Sequence, residues 1–465
     1  MLNQVALADG AYFKRLLAPE RVLIGDEIGA DYEHDEMEGV HHAPDVLLRV
    51  TSVEEISQVL AYCNDRKLPV IARGSGTGLV GGAVAIDGGI LLDTTLMNHI
   101  LELDEENMTV TVEPGVLLMD LAKYTEEKGF LYPPDPGEKS ATIGGNISTN
   151  AGGMRAVKYG VTRDCVLSLT VVLADGTVEV FGSKAVKNSS GYSLKDLMIG
   201  SEGTLGVVAG AVLRLRPLPQ VSISLLCAFP SLKTAISAVP ALLRSGTEPT
   251  AIEFLTPEAI RLSEEYLGKH FPCFEGDGAL LLTFDGDTEE GTARRLEHAA
   301  ELCLEAGATD CYFVDTEERK KSVWQARGAF LEAIKASTTQ MDECDVVVPR
   351  SQVVRFSEIL IALPEKIGLR IAYFGHAGDG NLHIYFCRDN VSEILWHERL
   401  ERGFAALYAA AAELGGQVSG EHGIGYAKRS FLRAQLGERQ MALMRGIKAA
   451  FDPNGILNPQ KVCMF

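Results

Sequence analysis

At 465 residues, with 46% apolar and 23% charged side chains, the chain is globular in composition and too long for one ordinary core, so two or three domains are expected. A formal charge of −20 argues against nucleic acid or an anionic membrane as the main partner, and no run approaches the roughly 18 apolar residues of a spanning helix. The N-terminus lacks a basic stretch followed by a long apolar run, and none of the nine scattered cysteines falls in a Cys-x-x-Cys. A secretion signal, an intrinsic iron–sulfur cluster and a cysteine-held zinc are therefore not expected; the cysteines read as buried small hydrophobes in a cytoplasmic protein.

Residues 1–40 read as an acidic, helical lead-in. Asp45–Val50 is a short strand. Thr51-Ser-Val-Glu54-Glu55 then forms a capping box, with Val53, Ile56, Val59, Leu60 and Cys63 at helical spacing. A second strand, Leu68–Ala72, runs into Arg73-Gly74-Ser75-Gly76-Thr77-Gly78-Leu-Val-Gly81-Gly82. Strands at 89–93 and 108–113 and a helix closed by Gly129 continue the alternation. Residues 166–181 read as a hairpin turning at Ala174-Asp175-Gly176. Pro217 and Pro219 mark a boundary. Beyond it, strands at 221–229, 251–255, 279–284 and 311–314 are separated by long helical segments, among them the acidic 287–306. That pattern predicts a sheet covered by helices on one face. The chain ends in the turn-rich Phe451-Asp-Pro-Asn-Gly-Ile-Leu-Asn458-Pro459.

Three glycine-rich elements lie in the first half. Gly76-x-Gly78-x-x-Gly81 satisfies the dinucleotide pattern. However, Gly81-Gly82-Ala-Val-Ala-Ile-Asp-Gly-Gly89 is too rich in glycine to open a helix, so a Rossmann site is discounted. A loop of bare N–H groups against a phosphate fits better, and a tight turn without ligand is the plain alternative. The second element joins Tyr132-Pro-Pro134-Asp135-Pro-Gly137 to Thr142-Ile-Gly-Gly145-Asn146-Ile-Ser-Thr149-Asn-Ala-Gly152-Gly153. The third is Ile199-Gly-Ser-Glu202-Gly-Thr-Leu-Gly206-Val207. Ordered glycines cost backbone entropy, so three such loops imply a large ligand that compensates.

These stretches resemble the FAD-binding domain of the vanillyl-alcohol-oxidase (PCMH-type) flavoproteins. The resemblance implies FAD contacts from Arg73, Gly74, Ser75, Gly76, Thr77, Gly78, Pro134, Asp135, Thr142, Gly145, Asn146, Thr149, Gly152, Glu202, Gly206, Val207 and Asn458. Some relatives carry the flavin on a histidine of the first loop. Thr77 stands in that region here, so non-covalent FAD is implied.

In the second half, Tyr373-Phe-Gly-His376 reads as a strand end, Ala-Gly-Asp379-Gly as a turn, and Asn381-Leu-His383 as the return. A hairpin would place His376 and His383 side by side, and Glu421 of Gly420-Glu421-His422-Gly423 adds a carboxylate. Two imidazoles and a carboxylate suit Zn²⁺, Fe²⁺ or Mn²⁺. Any one of these histidines alone would more often be structural. Asn381 is assigned to the site, while Asp379 leans towards a turn role. His422 is left as general base for a hydroxyl proton.

Gly375-His-Ala-Gly-Asp-Gly-Asn-Leu-His383, Ser419-Gly-Glu-His-Gly-Ile-Gly425 and Asp452-Pro-x-Gly-Ile-Leu-Asn-Pro459 resemble the branch containing the glycolate oxidase catalytic subunit, D-lactate dehydrogenases and D-2-hydroxyglutarate dehydrogenase. The resemblance covers residues 40–465. It implies an α+β chain: lead-in 1–40, PCMH-type FAD-binding domain 41–219, antiparallel-sheet-and-helices substrate (cap) domain 220–425, and a C-terminal helical segment 426–465 returning to the flavin. It implies oxidation of a small 2-hydroxy acid, with Arg327 on the substrate carboxylate. It also implies electrons passing to a partner, an electron-transferring flavoprotein or an iron–sulfur subunit, through which the protein could be held at a membrane. Where the hydroxyglutarate branch has a lysine for a second carboxylate, this chain has Glu343-Cys-Asp345, favouring lactate or glycolate. D-2-hydroxyglutarate oxidation, a non-catalytic flavin-binding subunit and a metallohydrolase are the competing readings.

Overall fold

The capping signal at residue 52 acts as its side chains allow. Ser52 Oγ accepts the N–H of Glu55 at 3.2 Å, and the helix Val53–Arg66 follows, burying Ile56, Val59, Leu60 and Cys63. The computed structural model describes residues 2–37, 39–270 and 276–464, so Cys273 lies outside the described residues. The chain divides into two units. Met1–Gly153, Gly160–Leu218 and Glu421–Phe465 form the first; Met154–Tyr159 and Pro219–Gly420 form the second.

The first unit has two main sheets. The strands Val22–Ile24, Val46–Arg49, Ile90–Asp93 and Val70–Arg73 lie in that spatial order, the last three parallel. The second sheet is antiparallel, in the order Ile100–Asp104, Thr109–Val112, Val207–Arg214, Val166–Val172, Val178–Gly182. The 174–176 turn joins its last two strands. No helix opens at Gly81: residues 74–89 run as turns between parallel strands, unlike a Rossmann crossover. The lead-in is less helical than expected. After Leu7–Leu16 it breaks into short 3-10 turns, because Pro19, Gly25 and Gly29 interrupt it. The C-terminal segment lies on the parallel sheet, with Leu457 bridging to Val70 and Asn458 N–H donating to Val70 O at 2.8 Å.

The second unit is built on a seven-stranded antiparallel sheet. Its order is Asp310–Val314, Val221–Phe229, Gly278–Gly286, Ala251–Leu255, Arg370–His376, Asn381–Cys387, Met341–Val347. Helices cover both faces rather than one. The central strands are near-continuous apolar runs, as in Leu225-Leu-Cys-Ala-Phe229 and Ala279-Leu-Leu-Leu282, so each face must be buried. One face packs Leu226, Leu255, Leu281 and Phe374 against Pro257–Leu267, Glu317–Gly328 and Phe330–Ala336. The other meets Leu232–Arg244, Glu289–Glu305, Val353–Ile367 and Glu393–Glu413. There, a Cβ at Gly403 would lie 2.6 Å from the ring of Phe386. Truncating a buried ring such as Phe254 or Phe386 to alanine should cost about 3–5 kcal/mol.

Candidate active site

Strand alternation sorts the second unit's polar residues. Glu253 shares the sheet face of Leu255; His376 shares that of Phe374; His383 and Asn381 share that of Tyr385. Register then brings Glu253 opposite His376, and Asp345 opposite His383. The hairpin forms as expected, but His376 stands opposite Asn381 and His383 opposite Phe374, because four residues make the turn. The imidazoles are therefore diagonal neighbours, with their Nε2 atoms 3.3 Å apart and both rings buried.

The far nitrogen of each ring faces a carboxylate. His376 Nδ1 is 2.6 Å from Glu253 Oε1, and His383 Nδ1 is 3.3 Å from Glu343 Oε1. Tyr385 OH donates to the same Glu343 oxygen at 2.9 Å. Arg327 is on the helix over this face. Its Nε and Nη2 both donate to Glu253 Oε2, at 3.0 and 2.5 Å, and its guanidinium lies 4.5 Å over the Phe374 ring. Burial works to raise the Glu253 carboxyl, but the charges and hydrogen bonds of His376 and Arg327 outweigh it and hold the group below its ordinary value. Glu253 is fully buried and was not singled out from the sequence. Its signal is a lone acid in the apolar strand Ala-Ile-Glu-Phe-Leu, since a buried charge requires partners.

Asn381 is buried and directs Nδ2 to Asp345 Oδ1 at 2.6 Å and to Val346 O at 3.1 Å. Asp345 Oδ2 accepts from Ser419 Oγ at 2.7 Å and from the N–H of Gly420 at 2.9 Å. Asp345 thus holds the chain at the residue before Glu421. Asp379 caps its own turn, accepting from Asn381 N–H at 3.1 Å.

In the first unit the three glycine-rich elements converge. A Cβ at Gly74 would lie 2.0 Å from Thr142 Oγ1, and one at Gly153 would lie 2.2 Å from Asp135 O. Ser75 Oγ donates to Ser140 O at 2.7 Å, and Glu202 N–H to Ser148 O at 2.8 Å. Thr142 caps the helix Ile143–Thr149, and Thr149 Oγ1 donates to Gly145 O at 3.3 Å. Arg73 is turned to the lead-in, donating to His34 O at 2.7 Å and Asp31 O at 2.8 Å. Gly76 has φ +78° and packs on that guanidinium, which explains its glycine. Thr77 and Gly78 complete the loop, and Pro134 is buried next to the half-buried Asp135. Val207 starts a buried strand, and a Cβ at Gly206, just before it, would meet Val171 at 2.5 Å. Asn458 bonds Gly82 O and Glu202 O at 2.9 and 2.8 Å, tying the C-terminal segment to the loops.

Glu421 and His422 are half-buried in a turn of this unit. A Cβ at Gly152 would lie 2.5 Å from Glu421 Oε2, so that carboxylate rests on the second glycine element. Two buried donors, Asn146 Nδ2 and the Tyr132 hydroxyl, have no hydrogen-bond partner among the described residues. Unsatisfied buried donors are costly in a folded chain, and a large ligand with several acceptors would satisfy them. The residues therefore fit FAD.

Comparison with known proteins agrees with this geometry. Residues 44–182 match the family model described as FAD binding domain, and residues 218–462 match that of FAD linked oxidases, C-terminal domain. The chain is 49% identical to a D-lactate dehydrogenase of Anaerostipes hadrus, over 96% of this chain and 95% of the relative. It is 38% identical to glycolate oxidase subunit GlcD of Bacillus subtilis, over 93% and 91%. Among solved structures, p-cresol methylhydroxylase with substrate bound superposes with a TM-score of 0.80 at 18% identity, covering 100% of this chain and 98% of that one, which shows a shared fold. No helix among the described residues is long and apolar enough to cross a membrane. With both family models matched in order along its length, the chain belongs to the FAD linked oxidases, with an FAD binding domain followed by the oxidase C-terminal domain.

Proposed function

We propose that the protein is an FAD-dependent D-2-hydroxy-acid dehydrogenase that converts D-lactate or glycolate to the 2-oxo acid. The reading agrees with the names of its relatives and is carried by one observation, the two buried imidazoles with Nε2 atoms 3.3 Å apart. A carboxylate beside each Nδ1 favours a proton there. With both protons there, the two Nε2 lone pairs are turned towards each other and are available to a shared cation. The donor set suits Zn²⁺, Fe²⁺ or Mn²⁺, with Glu421 as third ligand. Glu421 directly follows Gly420, whose N–H is fixed on Asp345.

When bound, the metal supplies a Lewis acid for the hydroxy acid, and non-covalent FAD supplies the two-electron acceptor. His422 takes the hydroxyl proton on an imidazole nitrogen. Arg327 Nη1 makes no hydrogen bond among the described residues, which leaves it for the substrate carboxylate while Nε and Nη2 hold Glu253. Asn381 keeps Asp345 and the 419–420 backbone in place.

Anaerobic mixing of the purified yellow protein with D-lactate, glycolate and D-2-hydroxyglutarate tests the reading. Bleaching of the oxidised-flavin band by D-lactate or glycolate is expected; a colourless protein, or a flavin untouched by every 2-hydroxy acid, would overturn it. His422→Ala should keep FAD and slow reduction more than about 100-fold. Electrons are proposed to leave to an electron-transferring flavoprotein or an iron–sulfur subunit, since the chain has no Cys-x-x-Cys to carry them onward. Fast turnover on O₂ alone would count against that step.

A further inference from the structure

One buried carboxylate in the first unit holds the turn that carries His422. Glu202 Oε1 accepts the N–H of Ile424 at 2.8 Å, and Oε2 accepts that of Gly425 at 2.7 Å. The carboxylate lies directly under the residue after His422: a Cβ at Gly423 would come within 3.1 Å of Glu202 Cδ, and Gly423 has φ +87°. The same side chain touches the first glycine-rich element, since a Cβ at Gly82 would stand 3.4 Å from Oε2. Its backbone is fixed from two further sides. Its N–H donates to Ser148 O at 2.8 Å, next to Thr149 of the second element, and its carbonyl accepts from Asn458 Nδ2 at 2.8 Å.

Glu202 itself has φ +53°, a left-handed conformation that a side chain other than Gly or Asn adopts only where its surroundings impose it. Sequence resemblance made Glu202 a cofactor contact. In the structure both of its carboxylate oxygens are taken by the backbone after the general base.

We propose that Glu202 is a positioning residue, which locks the His422 turn onto the FAD-binding loops and so fixes where the base stands. The proposal rests on the reading of His422 as general base. Two N–H donors require two acceptors. A glutamine keeps the shape but turns an NH₂ towards one of them, so the turn loosens without an empty space being made. Loosening a base by a fraction of an ångström lowers the rate more than it changes substrate affinity.

The test uses the FAD-loaded full chain as wild type, Glu202→Gln, His422→Ala and the double variant. FAD affinity is read by flavin fluorescence, and reduction by D-lactate is read anaerobically over a range of substrate concentrations. Glu202→Gln should retain FAD, slow reduction about 10-fold or more, and shift the half-saturating substrate concentration less than about 3-fold. In the His422→Ala background it should add no further slowing, because a residue acting through His422 has nothing left to position. Equal slowing in both backgrounds would overturn the positioning role and leave the base reading intact. Loss of FAD with Glu202→Gln would return Glu202 to cofactor binding and also overturn it. Wild-type reduction by His422→Ala would sink the base reading, and this proposal with it. Glu202→Asp guards against a folding defect in the glutamine variant: it keeps the charge, shortens the reach, and should fall between wild type and Glu202→Gln in rate.

Discussion

Glu253 Oε1 stands 2.6 Å from Nδ1 of His376, while the other oxygen of the same carboxylate takes two donors from Arg327. A fully buried acid thus joins a helix to a histidine on the neighbouring strand. Removing one partner of a buried ion pair leaves the other uncompensated, at about 3–5 kcal/mol. Glu253→Ala should therefore destabilise the protein by that amount. Glu253→Gln should cost less but lower metal affinity by about 10–100-fold, since it loses the charge that orients His376. Denaturant unfolding and metal content after gel filtration check the two halves separately.

The opposed imidazole nitrogens make a prediction about metal removal. Dialysis against a chelator should leave the oxidised-flavin spectrum unchanged and abolish reduction by the hydroxy acid, with recovery on adding Zn²⁺, Fe²⁺ or Mn²⁺. His383→Asn should behave like the chelated protein, and no added metal should rescue it. Elemental analysis and flavin reduction report both outcomes.

Local signals were readable in the sequence and long-range pairings were not. Gly375-His-Ala-Gly-Asp-Gly-Asn-Leu-His383 carries its own turn and its own strand parity, so the proximity of His376 and His383 follows from the hairpin alone. The glycine-rich loops are visible for the same local reason. Glu253 was missed because its contact with His376 spans 123 residues and exists only once Ala251–Leu255 is placed beside Arg370–His376. The Glu202 contact with Ile424 spans 222 residues, and nothing in Gly-Ser-Glu-Gly announces it. The helices on both sheet faces escaped notice because an amphipathic helix shows that it covers a face without showing which one.

Glu343 supplies a prediction about specificity. Its carboxylate lies beside His383 and accepts from Tyr385; on the proposed reading, that acid would repel a second substrate carboxylate. Glu343→Lys should raise the kcat/KM of D-2-hydroxyglutarate relative to D-lactate by about 10-fold or more, equivalent to about 1.4 kcal/mol. Glu343→Gln removes the repulsion without adding a cation and should give a smaller shift in the same direction. Steady-state kinetics on both substrates with an artificial electron acceptor decide it, with metal content measured alongside because His383 is adjacent.

Glu202 also makes stability depend on pH. Burial pushes its carboxyl up to about 7, against the two amide donors and the charges of Lys428 and Lys461. Its ordinary value is 4.5. A carboxyl raised on folding binds its proton more tightly in the folded chain. The stability it contributes is therefore complete below pH 4.5 and is lost as the pH rises through about 7. Over that window the loss is on the order of 3 kcal/mol. Glutamine does not titrate, so Glu202→Gln should lack this component. The stability of wild type minus variant should fall between pH 4.5 and 7 and stay level above about 8. Thermal unfolding of the two FAD-loaded proteins across that range, followed by flavin fluorescence, measures the difference directly. A difference that rises with pH would mean that the two amides and the lysines, not burial, set the charge state of Glu202.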